Sequence, residues 1–469
     1  MTRLWLNGRA CSADDKPLLE FLRQQRQLHG TRGACHEGDC GSCQILLSDN
    51  PLDERPQFHA VTSCLLRTAD LEQHHVVTIE GLQHLHSPAT AHPLIQLLAD
   101  AGASQCGFCS PGLVMALLNW LLNGTTLDTT EGEHWINGNL CRCTGYMGQR
   151  RAVQHLVQRV APSLRESPWR LGTLIDMRWL PAWMQFPDTG SADDHGLADD
   201  HDAETMPALP ADTIGGGTDY WLEHDSAQAC ASVLAPSTEC AAQVDNALLY
   251  LNARSPLQQV ATTLQQLDQL PVFQSFTEAF ASMPVRQRAT LGGNLAHASP
   301  VADSIPLLLV LDAMVQTSQR TLSVHELFTG FKQTALQAGE IIEWLLIPLA
   351  EPDTSVQFDK VSRRPHTDIA VANAASYWRV RDDRVIEARI AIGGASPMPV
   401  RLFALENDLK NLPITSDITT LVKSRLQTAI NPISDVRGSA QYRRLLARQL
   451  ILAHWQQLQP TQERQHVRA

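Results

Sequence analysis

The sequence predicts a multidomain α+β protein, and three observations lead there. At 469 residues the chain is longer than one hydrophobic core usually serves, so roughly two to four domains are expected. Strand patterns and helix patterns arrive in blocks, as α+β units require. Between blocks, seven carboxylates (Asp188, Asp193, Asp194, Asp199, Asp200, Asp202, Glu204) fall within seventeen residues, the signature of a solvated loop or linker.

The elements follow in order. Leu4 to Asn7 reads as a strand turning at Gly8, and Leu18, Leu19 and Leu22 then recur at helical spacing. A Gly- and Cys-rich loop after Gly30 leads to a strand at Gln44–Leu47, with another expected at Val76–Glu80. From Ser87 the pattern turns helical. HPLIQLLADAG is amphipathic, while PGLVMALLNWLLNG is apolar around most of its circumference, with Pro111 near its start and Gly124 past its end. It reads as a buried helix. A third helix is expected after Cys143 through RRAVQHLVQRV, ending at Pro162. Trp169, Trp179 and Trp183 imply packed structure before the acidic run. After Thr213 come a Gly-rich turn (IGGGTDY), helical stretches and a second turn (TLGGNLAHASP). Strands at IIEWLLIPL, AASYWRV and VIEARIAIGG precede the helices ITTLVKSRLQTAI and AQYRRLLARQLILAHWQQL. The expected limits are 1–84, 85–162, 163–212 (linker with acidic loop), 213–350 and 351–469.

Composition narrows the classes. With 43% apolar and 18% charged residues the chain can bury sizeable cores. A formal charge of −12 argues against nucleic-acid or anionic-membrane partners, which reward Lys and Arg. No apolar run is long enough to span a bilayer, and MTRLWLNGRACSADD lacks a secretory signal pattern, so a cytoplasmic location is expected. In a reducing compartment eleven cysteines point to metal rather than disulfides.

Eight of them form two sets. Cys35-x4-Cys40-x2-Cys43 with Cys64 twenty-one residues on has the spacing of plant-type [2Fe–2S] ferredoxins. Gly38 and Gly41 would let that loop bend and aim N–H groups at sulfur. Four-cysteine zinc sites also use short spacings, but a lone distant fourth cysteine is unusual for them. The second set pairs Cys106-x2-Cys109 with Cys141-x-Cys143. Spacing alone leaves it nearly as compatible with zinc as with iron–sulfur. Its position just before two helix starts favours a negatively charged cluster, which helix N-termini stabilise. Cys11, Cys230 and Cys240 have no partner at metal spacing, and His36 sits in a loop already supplied with thiolates.

QCGFCSPGLVMAL and NGNLCRCTGY, following GTRGACHEGDCGSC, closely resemble the iron–sulfur portion of the xanthine dehydrogenase family of molybdenum hydroxylases. GGGTDY, ATLGGNLAHASPVAD, FTGFKQTAL and FDKVSRR extend the resemblance through a flavin portion. Two cluster motifs followed by flavin motifs, without a molybdenum domain, resemble the separate small subunit of bacterial members. The family implies a ferredoxin-like β-grasp [2Fe–2S] domain, a four-helix-type [2Fe–2S] domain, and a vanillyl-alcohol-oxidase-type FAD domain with a C-terminal α+β subdomain. It makes Cys106, Cys109, Cys141 and Cys143 the molybdenum-proximal cluster, and Cys35, Cys40, Cys43 and Cys64 the flavin-proximal one.

The resemblance further implies FAD contacts at Thr213, Ile214, Gly215, Gly216, Gly217, Thr218, Asp219 and Tyr220, which would form the pyrophosphate loop. It adds Thr290, Leu291, Gly292, Gly293 and Asn294 as a second loop, then Asp303, Phe280, Ile342 and Lys360. From the residues alone, GGGTD reads as a turn, Phe280 and Ile342 as core, Lys360 as a solvated cation, and Ser299 with Asp303 as a turn and helix cap. By resemblance the function is electron transfer from a molybdenum cofactor on a large partner subunit to FAD and then NAD+, during oxidation of hypoxanthine and xanthine to urate. No residue of this chain is expected to touch that substrate. The assembly implied is two small and two large subunits. A related hydroxylase acting on an aldehyde or N-heterocycle, or a non-enzymatic redox or assembly protein with a degenerate flavin site, are the alternatives.

Overall fold

The computed structural model describes residues 1–83, 91–187, 213–220, 232–233, 240–349, 351, 353–364 and 367–459. The acidic run and Cys230 lie outside the described residues. The chain divides into two compact units, Met1–Val233 with Ala281–Arg288, and Leu234–Phe280 with Ala289–Ala469.

The first unit opens with a mixed five-stranded sheet: β1 (Thr2–Leu6), β2 (Arg9–Ala13), β3 (Gln44–Ser48), β4 (His59–Thr62) and β5 (His75–Val77), in the spatial order β2-β1-β5-β3-β4. Asn7 and Gly8 take left-handed φ values of 50° and 84°, so β1 and β2 close as a tight hairpin. β2 was not expected. The strand expected through Glu80 stops at Val77, and Ile79–Gln83 turns helical.

β3 is buried at all five positions, because the sheet is covered on both faces. Ile45 and Leu47 point into one core with Leu4, Leu66 and Val76, completed by Leu18, Phe21 and Leu22 of helix α1 (Leu18–Glu20) and its π-helical continuation Phe21–Gln25. Leu46, Ala60 and Val77 point into the other, which is the core of the helical region. Alternation along the strand thus joins two layers.

Four helices follow α2 (Ile79–Gln83): α3 (Pro93–Asp100), α4 (Ser110–Asn123), α5 (Thr129–Trp135) and α6 (Met147–Arg159). The expected buried helix is α4, whose Leu113 to Leu121 are enclosed, with Trp120 fully buried. α5 was not foreseen; Asp128 caps it by accepting from the Glu131 N–H. The third expected helix stops at Arg159, short of Pro162, which instead lies in the first turn of the short helix Ala161–Arg165. Residues 163–187 pack into the same core through Leu171, Leu174, Trp179, Leu180 and Met184.

Among the described residues the second unit holds two larger sheets and a two-stranded one, Phe328–Gly330 with Gln333–Thr334. One runs Thr321–Ser323, Met314–Thr317, Ile342–Pro348, Leu248–Asn252, Ala242–Asp245, all antiparallel. The other runs Thr354–Val361, Ala372–Arg381, Arg384–Gly393, Val400–Arg401. Its long strands serve two cores by alternation: Ala375 and Tyr377 face the core of the first sheet and helix Ser304–Val310, while Ala374 and Trp378 face helices Phe403–Leu409, Thr419–Ala429 and Ala440–Gln457. Among the described residues no helix is long and apolar enough to cross a membrane.

Candidate metal centres and flavin site

The first cysteine loop runs from Gly30 into β3, and Cys64 sits in the 3-10 turn Ser63–Leu65 at the end of β4. Because β3 and β4 are hydrogen-bonded neighbours, the sheet itself brings the distant fourth cysteine to the loop. The Cys43 and Cys64 sulfurs lie 3.4 Å apart, and Cys35 contacts Cys40. Gly38 and Gly41 have φ of 75° and 69°, and the bend turns the Glu37 and Asp39 N–H groups toward Cys35 Sγ, at 3.4 and 3.3 Å. Ser42 Oγ stands 3.1 Å from Cys40 Sγ.

The second set lies at two loop ends. Cys109 is the residue immediately before α4, and Cys143 lies four positions before α6. Cys106 and Cys143 sulfurs are 3.6 Å apart, while Cys109 contacts Cys141. Thr144 Oγ1 is 3.1 Å from Cys141 Sγ.

The eight sulfurs therefore gather as four pairs, and their acidities split within each. Contact with the Cys35 thiol, outweighing burial and helped by Ser42, pulls Cys40 down to about 4, while Cys35 is pushed up by the same contact. Cys43 is lowered and Cys64 raised by their mutual contact. The Phe108 N–H and Cys143 lower Cys106, and Cys143 is raised by Cys106. Burial and the Cys141 contact push Cys109 up to about 12; burial also opposes ionisation of Cys141, but Thr144 overcomes it. Each pair thus sets two sulfurs side by side, as two thiolates on one metal ion would stand.

Two thiolates on one tetrahedral ion at about 2.3 Å stand about 3.8 Å apart, close to both measured pair spacings. Among the described residues no three His, Cys, Asp or Glu side chains gather as a single-ion site. Two pairs per set suit a two-iron cluster, in which each iron takes two thiolates. The sets differ in exposure: Cys43 is buried, whereas Cys106 and Cys143 are exposed. His36 carries a φ of 58° beside Gly33, and Cys240 Sγ bonds the Ala242 carbonyl at 2.9 Å.

The two sets also share a seam. Leu140 N–H donates to the Cys40 carbonyl at 3.0 Å, Asn139 Nδ2 to the Gly41 carbonyl at 3.3 Å. A Cβ on Gly112 of α4 would stand 2.0 Å from the Gly41 oxygen. Only glycine permits that approach. Sequence spacing gave no hint of Asn139 or Gly112 at this seam.

The expected flavin residues divide between the units. In the first, Thr213–Ile214 pairs in parallel with Ser232–Val233, and Gly215 to Tyr220 follow, Gly217 with φ of 74°. In the second, Thr290 caps the helix Leu291–His297, its side chain accepting from the Gly293 N–H. Leu291 and Gly292 are buried, and Asn294 Oδ1 accepts from Ser304 Oγ at 2.6 Å. Ile342 is a buried strand residue, and Phe280 packs against the same core.

Two readings made from the residues change here. Lys360 is no solvated cation: its Nζ is buried, 2.7 Å from Asp303 Oδ2 and 2.8 Å from the Ala279 carbonyl. Asp303 stands at the start of helix Ser304–Val310 without capping it. Its carboxylate instead accepts from Lys360 and, at 2.7 Å, from Asn373 Nδ2. Burial pushes the Asp303 carboxyl up, and the Lys360 ammonium opposes this. The structure thus joins Asp303 and Lys360, and sets Asn294 against Ser304, the next residue in the chain after Asp303. The Ser299 carbonyl does accept from Ala302 N–H, as a turn.

Comparison with known proteins defines the class. Residues 78–154 match the [2Fe–2S] binding domain, 208–350 the FAD binding domain in molybdopterin dehydrogenase, and 357–458 the CO dehydrogenase flavoprotein C-terminal domain. The chain is thus similar, segment by segment, to a [2Fe–2S] binding domain, an FAD binding domain of molybdopterin dehydrogenases and a CO dehydrogenase flavoprotein C-terminal domain. Among curated relatives, nicotinate hydroxylase of Emericella nidulans is 26% identical over 97% of this chain and 40% of its own length. Xanthine dehydrogenase of Drosophila subobscura is 26% identical over 82% of this chain and 33% of its own length. The chain thus spans between a third and two fifths of these relatives. Of solved structures, quinoline 2-oxidoreductase from Pseudomonas putida 86 aligns with a TM-score of 0.46 at 24% identity, over 54% of this chain and 95% of that one. Cyanide-inactivated Cu,Mo-CO dehydrogenase aligns at 0.48 and 19%, over 51% and 86%.

Proposed function

We propose that this chain is the electron-conducting subunit of a purine-oxidising molybdenum hydroxylase, holding two [2Fe–2S] clusters and one FAD. The observation that carries the reading is the gathering of eight cysteines into two interlocked sets of two pairs. When bound, the clusters supply one-electron chemistry and the flavin couples it to two-electron transfer. The residues do the rest. Cys35 with Cys40 and Cys43 with Cys64 hold one centre, and Cys106 with Cys143 and Cys109 with Cys141 the other. N–H groups of residues 37, 39 and 108 and the hydroxyls of Ser42 and Thr144 face the sulfurs and stabilise their negative charge. The seam keeps the two loops adjacent.

Thr213 to Tyr220, Thr290 to Asn294, Asp303, Phe280, Ile342 and Lys360 are assigned to FAD, with the buried Asp303–Lys360 pair as the fixed polar element of its site. The domain limits 1–84, 85–162, 213–350 and 351–469 belong to this proposal. So do hypoxanthine and xanthine as substrates, NAD+ as acceptor, a cytoplasmic setting, and a large molybdenum-bearing partner in a two-plus-two assembly. Nicotinate hydroxylase matches along 97% of the chain, which favours an N-heterocycle as the second reading. Co-purification followed by a substrate screen decides: a purine oxidised by the complex and not by this chain alone supports the proposal. Turnover of nicotinate but not xanthine selects the second reading, and purine oxidation without a partner contradicts the division of labour.

A further inference from the structure

Arg32 stands in the first cysteine loop, three positions before Cys35, and its side chain reaches the second. Its backbone is fixed on both sides by Ser42: the Arg32 N–H donates to the Ser42 carbonyl at 3.3 Å, and Ser42 Oγ donates to the Arg32 carbonyl at 2.9 Å. The same Ser42 hydroxyl stands against Cys40 Sγ. From this anchor the guanidinium donates to the Gly107 carbonyl at 2.5 Å, and lies 5.4 Å from the centre of the Phe108 ring.

Gly107 lies between Cys106 and Cys109. Its carbonyl and the Phe108 N–H belong to one planar peptide and point in opposite directions. Arg32 holds the carbonyl end, while the N–H end faces the Cys106 sulfur. Gly107 has a φ of 75°, and nothing lies where a side chain would stand on it. A charge-assisted bond from a planar, permanently charged group is a strong restraint on its orientation. It also places a fixed positive charge within one peptide of a thiolate.

We propose that Arg32 is a positioning residue through which the first cysteine loop sets the reduction potential of the centre at Cys106, Cys109, Cys141 and Cys143. The inference rests on the reading that both sets carry [2Fe–2S] clusters. Both effects of Arg32 act in one direction. A positive charge and an N–H aimed at sulfur each stabilise the more negative, reduced state, and so raise the potential.

The test is a redox titration of the full chain, purified anaerobically with its clusters and followed by electron paramagnetic resonance. Wild type, Arg32→Gln and Arg32→Lys are compared, and the second centre's signal is assigned as the one that Cys106→Ser alters. Arg32→Gln is expected to lower the midpoint potential of that signal and shift the other less; Arg32→Lys, which keeps the charge, should restore the greater part. An unchanged second potential in Arg32→Gln, or an equal shift of both signals, overturns the proposal. If Arg32→Gln loses the second centre, Arg32→Lys decides: a retained centre near the wild-type potential supports the role, and loss in both variants makes Arg32 a purely structural clamp. Wild-type protein showing a single cluster signal would instead defeat the underlying reading, before any substitution is made.

Discussion

The two cysteine sets lie in one unit but are built on different principles. The set at 35, 40, 43 and 64 is a sheet device, with three cysteines on a Gly-bent loop and the fourth delivered by strand pairing. The set at 106, 109, 141 and 143 is a helix device, with cysteines just ahead of α4 and α6. Each set buries one cysteine, Cys43 and Cys109, but only the second leaves two, Cys106 and Cys143, exposed. The contrast poses a question that cysteine number alone does not answer: how far enclosure and the N–H groups behind the sulfurs set the behaviour of each centre.

The largest effect that would sharpen this contrast is ligand replacement. Cys43→Ser, in an enclosed position, is expected to lose its centre, taking away about two of about four irons per chain. Cys106→Ser, open to solvent, should keep its iron with an altered signal, because serine or water can complete the ligand shell. Iron and acid-labile sulfide analysis separates them, and equal losses would break the comparison.

Next comes the seam. Gly112→Ala sets a methyl against the Gly41 carbonyl and should destabilise the first unit by about 3 kcal/mol, read as a lowered urea midpoint. Gly145→Ala, where nothing lies near the added carbon but φ is 63°, gives the cost of left-handed backbone alone, which should be smaller, at about 1 kcal/mol. A wild-type midpoint in Gly112→Ala contradicts the seam.

A smaller effect is specific to the sheet-built side. His75 is fully enclosed, its Nε2 accepts from the Gly8 N–H at 3.0 Å, and burial holds its ring down to about 3. The unfolded chain takes up a proton near pH 6.5 while the folded one does not. Stability is therefore level above about pH 6.5 and falls as pH drops toward 3, by at most about 1.4 kcal/mol per pH unit. Urea midpoints at pH 7 and 5 should show this slope, flattened in His75→Gln. An unchanged slope would remove His75 as its source.

The gentlest comparison uses a chelator: iron from the helix-built set should be lost several-fold faster than from the sheet-built set. Equal rates would show that exposure of Cys106 and Cys143 has no kinetic consequence.

Much of this was legible in the sequence for identifiable reasons. Spacing marks the first set because loop cysteines and a neighbouring strand end lie close along the chain. The α4 pattern was readable because its apolar residues run unbroken. β2 escaped because RACSA is a short edge strand of mostly small residues with no alternation to reveal it. The helix Arg170–Asp176 escaped because RLGTLID contains Gly172 and is held by burial of Leu171 and Leu174. Lys360 was misread as solvated because its partner Asp303 lies fifty-seven residues away, and no local pattern signals a pair at that distance. Arg32 was missed likewise, its carbonyl partner lying seventy-five residues on.

The central claim, that each set of four cysteines holds a two-iron cluster beside one flavin, meets its most direct test in metal, sulfide and flavin analysis of the anaerobically purified chain. The account predicts about four irons, about four acid-labile sulfides and about one FAD per chain. Stoichiometric zinc with no acid-labile sulfide would contradict it.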